Sequence, residues 1–103
     1  MIKRESDNLI ETEPLTDASN ANALITSGTV NIAIVAMDRS TVLVADGAAA
    51  HVAGGVWART IDRSLIDTIP AATKRAFTRV KVGTVSDPDA TKYREEAVGY
   101  DDA

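Results

Sequence analysis

The stretch TVNIAIVAMDRSTVLVADGAAAHVAGGVWARTID, residues 29–62, decides the fold. Val30, Ile32, Ile34 and Ala36 share one parity while Asn31 lies on the other, and Gly28 precedes them. Period two with β-branched residues is a strand signal. Val35 and Met37 add apolar side chains to the second face, so both faces of this strand are expected to be covered. Residues 37–41 form a polar break of hairpin length, and 41–46 return as a strand. Asp46-Gly47 and Gly54-Gly55 read as turns. Between them 48–52 reads as a short strand, and after them 56–62 is a strand with Trp57 and Ile61 on one parity.

Downstream, Ala76, Thr78, Val80 and Val82 alternate with Phe77, Arg79 and Lys81, which predicts a strand over about 75–85. Residues 63–75 hold Leu65, Ile66, Ile69 and Pro70. Pro70 is acceptable at a helix start, but the alternation that follows leaves room for at most one helical turn. Residues 86–90, SDPDA, read as a loop, and 91–98 as a last strand with a weaker pattern. Upstream, residues 1–22 are sparse in apolar side chains (Ile2, Leu9, Ile10, Leu15), interrupted by Pro14 and rich in turn formers. They read as an extended N-terminal arm. The expected organisation is therefore an arm over 1–22, a β-sandwich domain over 23–99 and a polar tail over 100–103. About seven short strands with closely spaced turns point to an all-β sandwich or barrel.

A chain of 103 residues is one domain at most. Only Trp57, Phe77, Tyr93 and Tyr100 are aromatic, so the core is built from Val, Ile, Leu and Ala and is expected to be slight. With no cysteine, disulfides and thiol chemistry are excluded. No apolar run approaches the ~20 residues of a membrane span, and no secretion signal opens the chain. The net charge is −4, with both ends acidic and the middle, residues 21–83, holding seven basic residues against four acidic. Nucleic-acid binding normally needs a stronger basic excess.

No motif specifies a reaction. His51 is the only histidine, and Ser40 or Ser64 with Asp62 or Asp67 is only a possible combination for a triad. Such combinations occur in any domain of this size, so His51 is expected to be incidental. Residues 87–90, DPDA, lack the spaced ligands of a calcium loop. GAAAHVAGG (47–55) lacks the GK[ST] ending of a phosphate loop and leads into a strand rather than a helix. Glu95-Glu96 and Asp101-Asp102 are sequence neighbours, which in a strand point to opposite faces and make poor acid/base pairs. Arg75, Arg79 and Lys81 share a parity with Phe77 between them. That is either a solvated face, paired across strands with Glu95 or Glu96, or a docking stripe. Trp57 is expected in the core.

The order of elements resembles small immunoglobulin-like β-sandwich modules of tailed-bacteriophage structural proteins. The resemblance spans about residues 24–98. It rests on Val30, Ile32, Ile34, Asp38, Val44, Asp46-Gly47, His51, Val52, Gly54, Gly55, Trp57, Thr60-Ile61, Val80 and Val82. Two places depart from it: AATKRAF (71–77) replaces a Gly-x-Tyr, and Arg59 stands where a small residue is common. The resemblance implies an immunoglobulin-like antiparallel β-sandwich in a non-enzymatic virion component: a capsid decoration or cement protein, or a head–tail or tail piece. Such a protein is made in the host cytoplasm, needs no cofactor or metal, and partners copies of itself or a larger shell or connector protein. Nucleic acid and membrane are not expected partners. The candidate interface residues are Ile2, Leu9, Ile10 and Leu15 of the arm and Arg75, Arg79 and Lys81 of the stripe. The alternative is a carbohydrate- or peptide-binding module, which would need aromatics such as Trp57 and Tyr93 or Tyr100 side by side on the surface.

Overall fold

In a computed structural model, which describes residues 1–17, 20–83 and 91–100, the alternating stretches become paired strands. They are β1 (Ile2–Lys3), β2 (Asn8–Glu11), β3 (Thr16–Asp17), β4 (Ala23–Leu24), β5 (Val30–Val35), β6 (Val42–Ala48), β7 (Ala50–Ala53) and β8 (Val56–Ile61). A single helical turn, α1 (Arg63–Ile66), precedes β9 (Arg75–Val82) and β10 (Thr91–Gly99). The loop expected at 86–90 and most of the tail lie outside the described residues.

One sheet has the order β1-β10-β9-β5-β6 and the other β2-β8-β7, with β3 and β4 as a separate hairpin. In immunoglobulin terms β10, β9, β5 and β6 follow the order G, F, C, C′, and β2, β8 and β7 follow B, E, D. The chain is an all-β, immunoglobulin-like sandwich. Pairing is antiparallel except at β1, which runs parallel to the end of β10. Inward-facing residues of both sheets meet in one cluster that includes Ile10, Ile32, Ile34, Val44, Ile61 and Val98. A second cluster, Leu15, Ile25, Val30, Trp57 and Val82, closes one end.

The N-terminal segment corrects the arm expected over 1–22. Ile2 is fully buried against Val98, its strand partner, and Ile10 and Leu15 are 6% and 3% exposed. These three are core residues of their own subunit rather than an outward interface. Only Leu9, on the opposite parity of β2, is exposed. Four residues are too short a run for alternation to stand out, which is why Asn8–Glu11 reads as arm. The β1–β2 turn, with Glu5 at φ 58, is clamped by the Asn8 side chain. Asn8 accepts from the Lys3 N–H and donates to the Lys3 and Ser6 carbonyls, at 2.8, 2.8 and 3.0 Å. The guanidinium of Arg4 donates to the carbonyls of Ile69, Pro70 and Thr73, at 3.2, 2.7 and 2.9 Å. It thereby fastens this segment to the loop before β9.

Asp46-Gly47 is the other correction: it is not a turn but part of β6, with Gly47 opposite Ile32. The β5–β6 register shifts on either side of Ile34. Near the first shift Arg59, reaching across from the other sheet, donates to the carbonyls of Ile32 and Ala45. A Cβ on Gly47 would fall on that guanidinium. Gly47 is thus explained by a close approach, and so is Arg59, one of the departures from the family pattern. Gly54-Gly55 is the turn expected, at φ 57 and 81. The helical turn lies at Arg63–Ile66, before Pro70, with Asp62 as N-cap accepting from the Ser64 N–H at 3.0 Å.

Candidate interaction surface

The outer face of the five-stranded sheet gathers the stripe of β9. Arg75 pairs with Glu95 of β10 at 2.8 Å, the cross-strand neutralisation considered for this stripe, and Glu95 holds the guanidinium pKa above its ordinary value. Arg79 lies on this face but is only 9% exposed, and its Nη2 donates to Asp46 of β6 at 2.8 Å. It keeps the outward parity of β9, opposite Tyr93 of β10 and Ala33 of β5, and shares Asp46 with Lys81. Its Nε is buried without a partner. Lys81 is half-exposed and lies 3.9 Å from the same Asp46. Of the three basic candidates, Arg75 and Lys81 stay exposed and Arg79 is buried on the same face.

Between them sits an aromatic patch that the sequence did not announce. Phe77 and Tyr93 meet edge to face, with centroids 5.9 Å apart and planes at 78°. The Arg39 guanidinium lies over both rings, 4.7 Å from Phe77 and 4.9 Å from Tyr93. Arg39 reaches them because the β5–β6 turn folds it back with φ 62. That turn is held by Asp38, whose carboxylate accepts from Ser40 N–H, Thr41 N–H and the Thr41 hydroxyl at 2.9, 2.8 and 2.7 Å. The Thr41 N–H and hydroxyl, then Ser40, lower the Asp38 pKa to about 2. Arg39 is separated from Phe77 by 38 positions, and only the pairing of β5 with β9 makes them neighbours.

A second feature opens on the side of the sandwich where β10 runs free. There a cleft of about 170 Å³ has an apolar floor of Ile10, Leu15 and Val80. Lys92 and Arg94 form one lip and Glu11 and Glu13 the other. Lys92, Arg94 and Glu96 stand opposite Val80, Thr78 and Ala76 of β9, so they occupy the inward parity of β10. Glu96 binds the α-ammonium of Met1 at 2.7 Å and Arg94 at 2.9 Å. Burial opposes its ionisation, and these two cations outweigh it and lower its pKa. The expectation that Glu95 and Glu96 point to opposite faces holds: one meets Arg75 outside, the other Met1 inside.

His51 is exposed on β7, its Nε2 accepts from the Gly55 N–H at 3.3 Å, and its ring packs edge-on to Trp57 with centroids 5.3 Å apart. Neither Ser40 nor Ser64 is turned to it. Ser40 belongs to the Asp38 turn, and the Ser64 hydroxyl donates to the N-cap Asp62 at 2.6 Å, the contact that most lowers the Asp62 pKa. Trp57 is 4% exposed and donates from Nε1 to the Ile25 carbonyl at 2.8 Å, which makes it a core anchor. Among the described residues, no group of three or more His, Cys, Asp or Glu is placed to hold a metal ion, and no helix is long and apolar enough to cross a membrane. DPDA (87–90) and Asp101-Asp102 lie outside the described residues. Comparison with protein-family models, with curated proteins and with solved structures finds no match to this chain.

Proposed function

We propose that the chain is a non-enzymatic structural protein of a tailed-bacteriophage virion, a capsid decoration or cement protein or a head–tail or tail component. It assembles with copies of itself or a larger shell or connector protein. The observation that carries assembly is the ordered Arg39–Phe77–Tyr93 stack on the outer sheet face, flanked by Arg75 and Lys81. Aromatic and arginine side chains fixed in place lose little entropy on docking and are the types enriched at interface hot spots. The virion setting rests on the residue pattern shared with tailed-phage modules. A carbohydrate- or peptide-binding platform is less well supported: Trp57 is internal, and Phe77 and Tyr93 meet edge to face rather than as a flat pair.

The test is quantitation of this protein in purified particles. Hundreds of copies would make it a decoration protein and about a dozen or fewer a connector or tail piece; particles without it would overturn the reading. Arg39→Ala with Tyr93→Ser should fold and yet lower incorporation by about tenfold or more. Normal incorporation of that variant would remove the patch from the interface.

A further inference from the structure

We propose that two copies of this chain pair antiparallel through the free edge of β10, joining their five-stranded sheets across a two-fold axis. β10 is hydrogen-bonded to β9 in unbroken register from Thr91 to Ala97, whereas β1 covers only Val98 and Gly99 on its other side. Among the described residues, the outer edge of 92–96 is therefore open. The other edges are less suited to pairing. Register shifts interrupt β6 and β7, and β1 and β2 are two and four residues long. Bulged or short edges resist strand addition, and a straight regular edge invites it.

Charge selects the occupant. A generic apolar strand laid on this edge would leave the inward-facing Lys92 without a complement beside the already paired Arg94 and Glu96, and inward charges on an edge strand are a recognised guard against unwanted pairing. A strand with the reversed order of charges avoids that cost, and β10 itself, run antiparallel, is such a strand. Centring the two-fold on Arg94 keeps every residue on its own face. Lys92 then faces Glu96 of the second copy, and Tyr93 faces its Glu95, each contact occurring twice. The two Arg94 side chains meet at the axis. Each is already held by its own Glu96 at 2.9 Å, and Glu11 and Glu13 line the opposite lip of the cleft. Lys92, exposed at that lip, has no ion-pair partner among the described residues and can reach across. The pairing is independent of the virion reading, which copy number in particles decides.

The experiment is sedimentation of the full chain from micromolar to millimolar concentration. Wild type should show a concentration-dependent dimer. Lys92→Glu sets like charges opposite each other at both symmetric contacts and should raise the dimer dissociation constant at least about tenfold. Mixing Lys92→Glu with Glu96→Lys restores both contacts and should give heterodimers by native mass spectrometry. Because Glu96→Lys also loses the Met1 contact, hydrogen exchange supplies a second readout. Amide protection within 92–96 should grow with wild-type concentration and not in Lys92→Glu. A wild type that stays monomeric, a Lys92→Glu variant that dimerises as tightly, or protection that ignores concentration would overturn the proposal.

Discussion

Leu9 and Ile10 are neighbours on β2, and replacing each by alanine tests whether the N-terminal segment belongs to the folding unit. Ile10 is 6% exposed and contributes to the main core, opposite Arg59 on β8. Its truncation removes packed methylene groups and leaves a cavity, at a cost of about 2–5 kcal/mol. Leu9 is 60% exposed, so the same change there should stay within about 0.5 kcal/mol. Against the roughly 5–15 kcal/mol expected of a domain this size, Ile10→Ala is a large loss. It should lower Tm on the order of 10–20 °C. Urea unfolding followed by Trp57 fluorescence is the natural assay. The indole is buried, and the Trp57 backbone exchanges hydrogen bonds with Thr12 just beyond β2, at 2.8 and 3.0 Å. If Ile10→Ala moved the midpoint no further than Leu9→Ala, residues 1–15 would be an appendage after all.

Two further outcomes follow from the turns and the bulge. The Asp38 carboxyl has its folded pKa lowered from 3.8 to about 2, so its stabilising effect is present above the ordinary value and lost as pH falls through about 2. Asp38→Asn should flatten the acid limb of a Tm-against-pH curve in that interval, and an unchanged limb would refute the contribution. A methyl at Gly47 displaces the Arg59 guanidinium, so Gly47→Ala and Arg59→Met should each cost about 1–3 kcal/mol in urea unfolding. The double variant should cost little more than either alone, since both remove the same contacts; additive losses would contradict the coupling.

The parts of this fold legible in the sequence are those where a β-branched, alternating pattern runs for six residues or more. β5, β8 and β9 fall close to where period two puts them, and Gly54-Gly55 is a turn because glycine takes two successive positive φ values at no steric cost. β2 escaped because four residues between polar turns carry too little pattern. β6 was cut at Asp46-Gly47 because a dipeptide that usually turns the chain here makes room for a guanidinium instead. The candidate face was half visible. The stripe of Arg75, Phe77, Arg79 and Lys81 is a matter of parity, but Arg39 and Tyr93 join it only through pairing with β5 and β10. No local rule supplies that.

The basic middle of the chain shows why a charge count misleads about surfaces. A guanidinium has five donors on a long apolar stem, which suits it to span irregular backbone as well as to face water. Arg59 takes the Ile32 and Ala45 carbonyls where β5 and β6 fall out of register, and Arg79 takes Asp46 from within the sheet. Arg4 does the same from the acidic N-terminal segment, holding three carbonyls of the loop before β9. In a core with few aromatics these contacts link elements that apolar packing alone would join loosely. With Arg59 turned inward, Arg79 buried against Asp46 and Arg75 matched by Glu95, the outer face keeps Lys81 and the ring-bound Arg39 as its remaining exposed cations among the described residues. What the sequence presents as a basic stripe is, in three dimensions, an aromatic patch framed by neutralised charge. On the proposed assembly role, shape and stacking come first on this face, and electrostatic attraction to an acidic segment comes second.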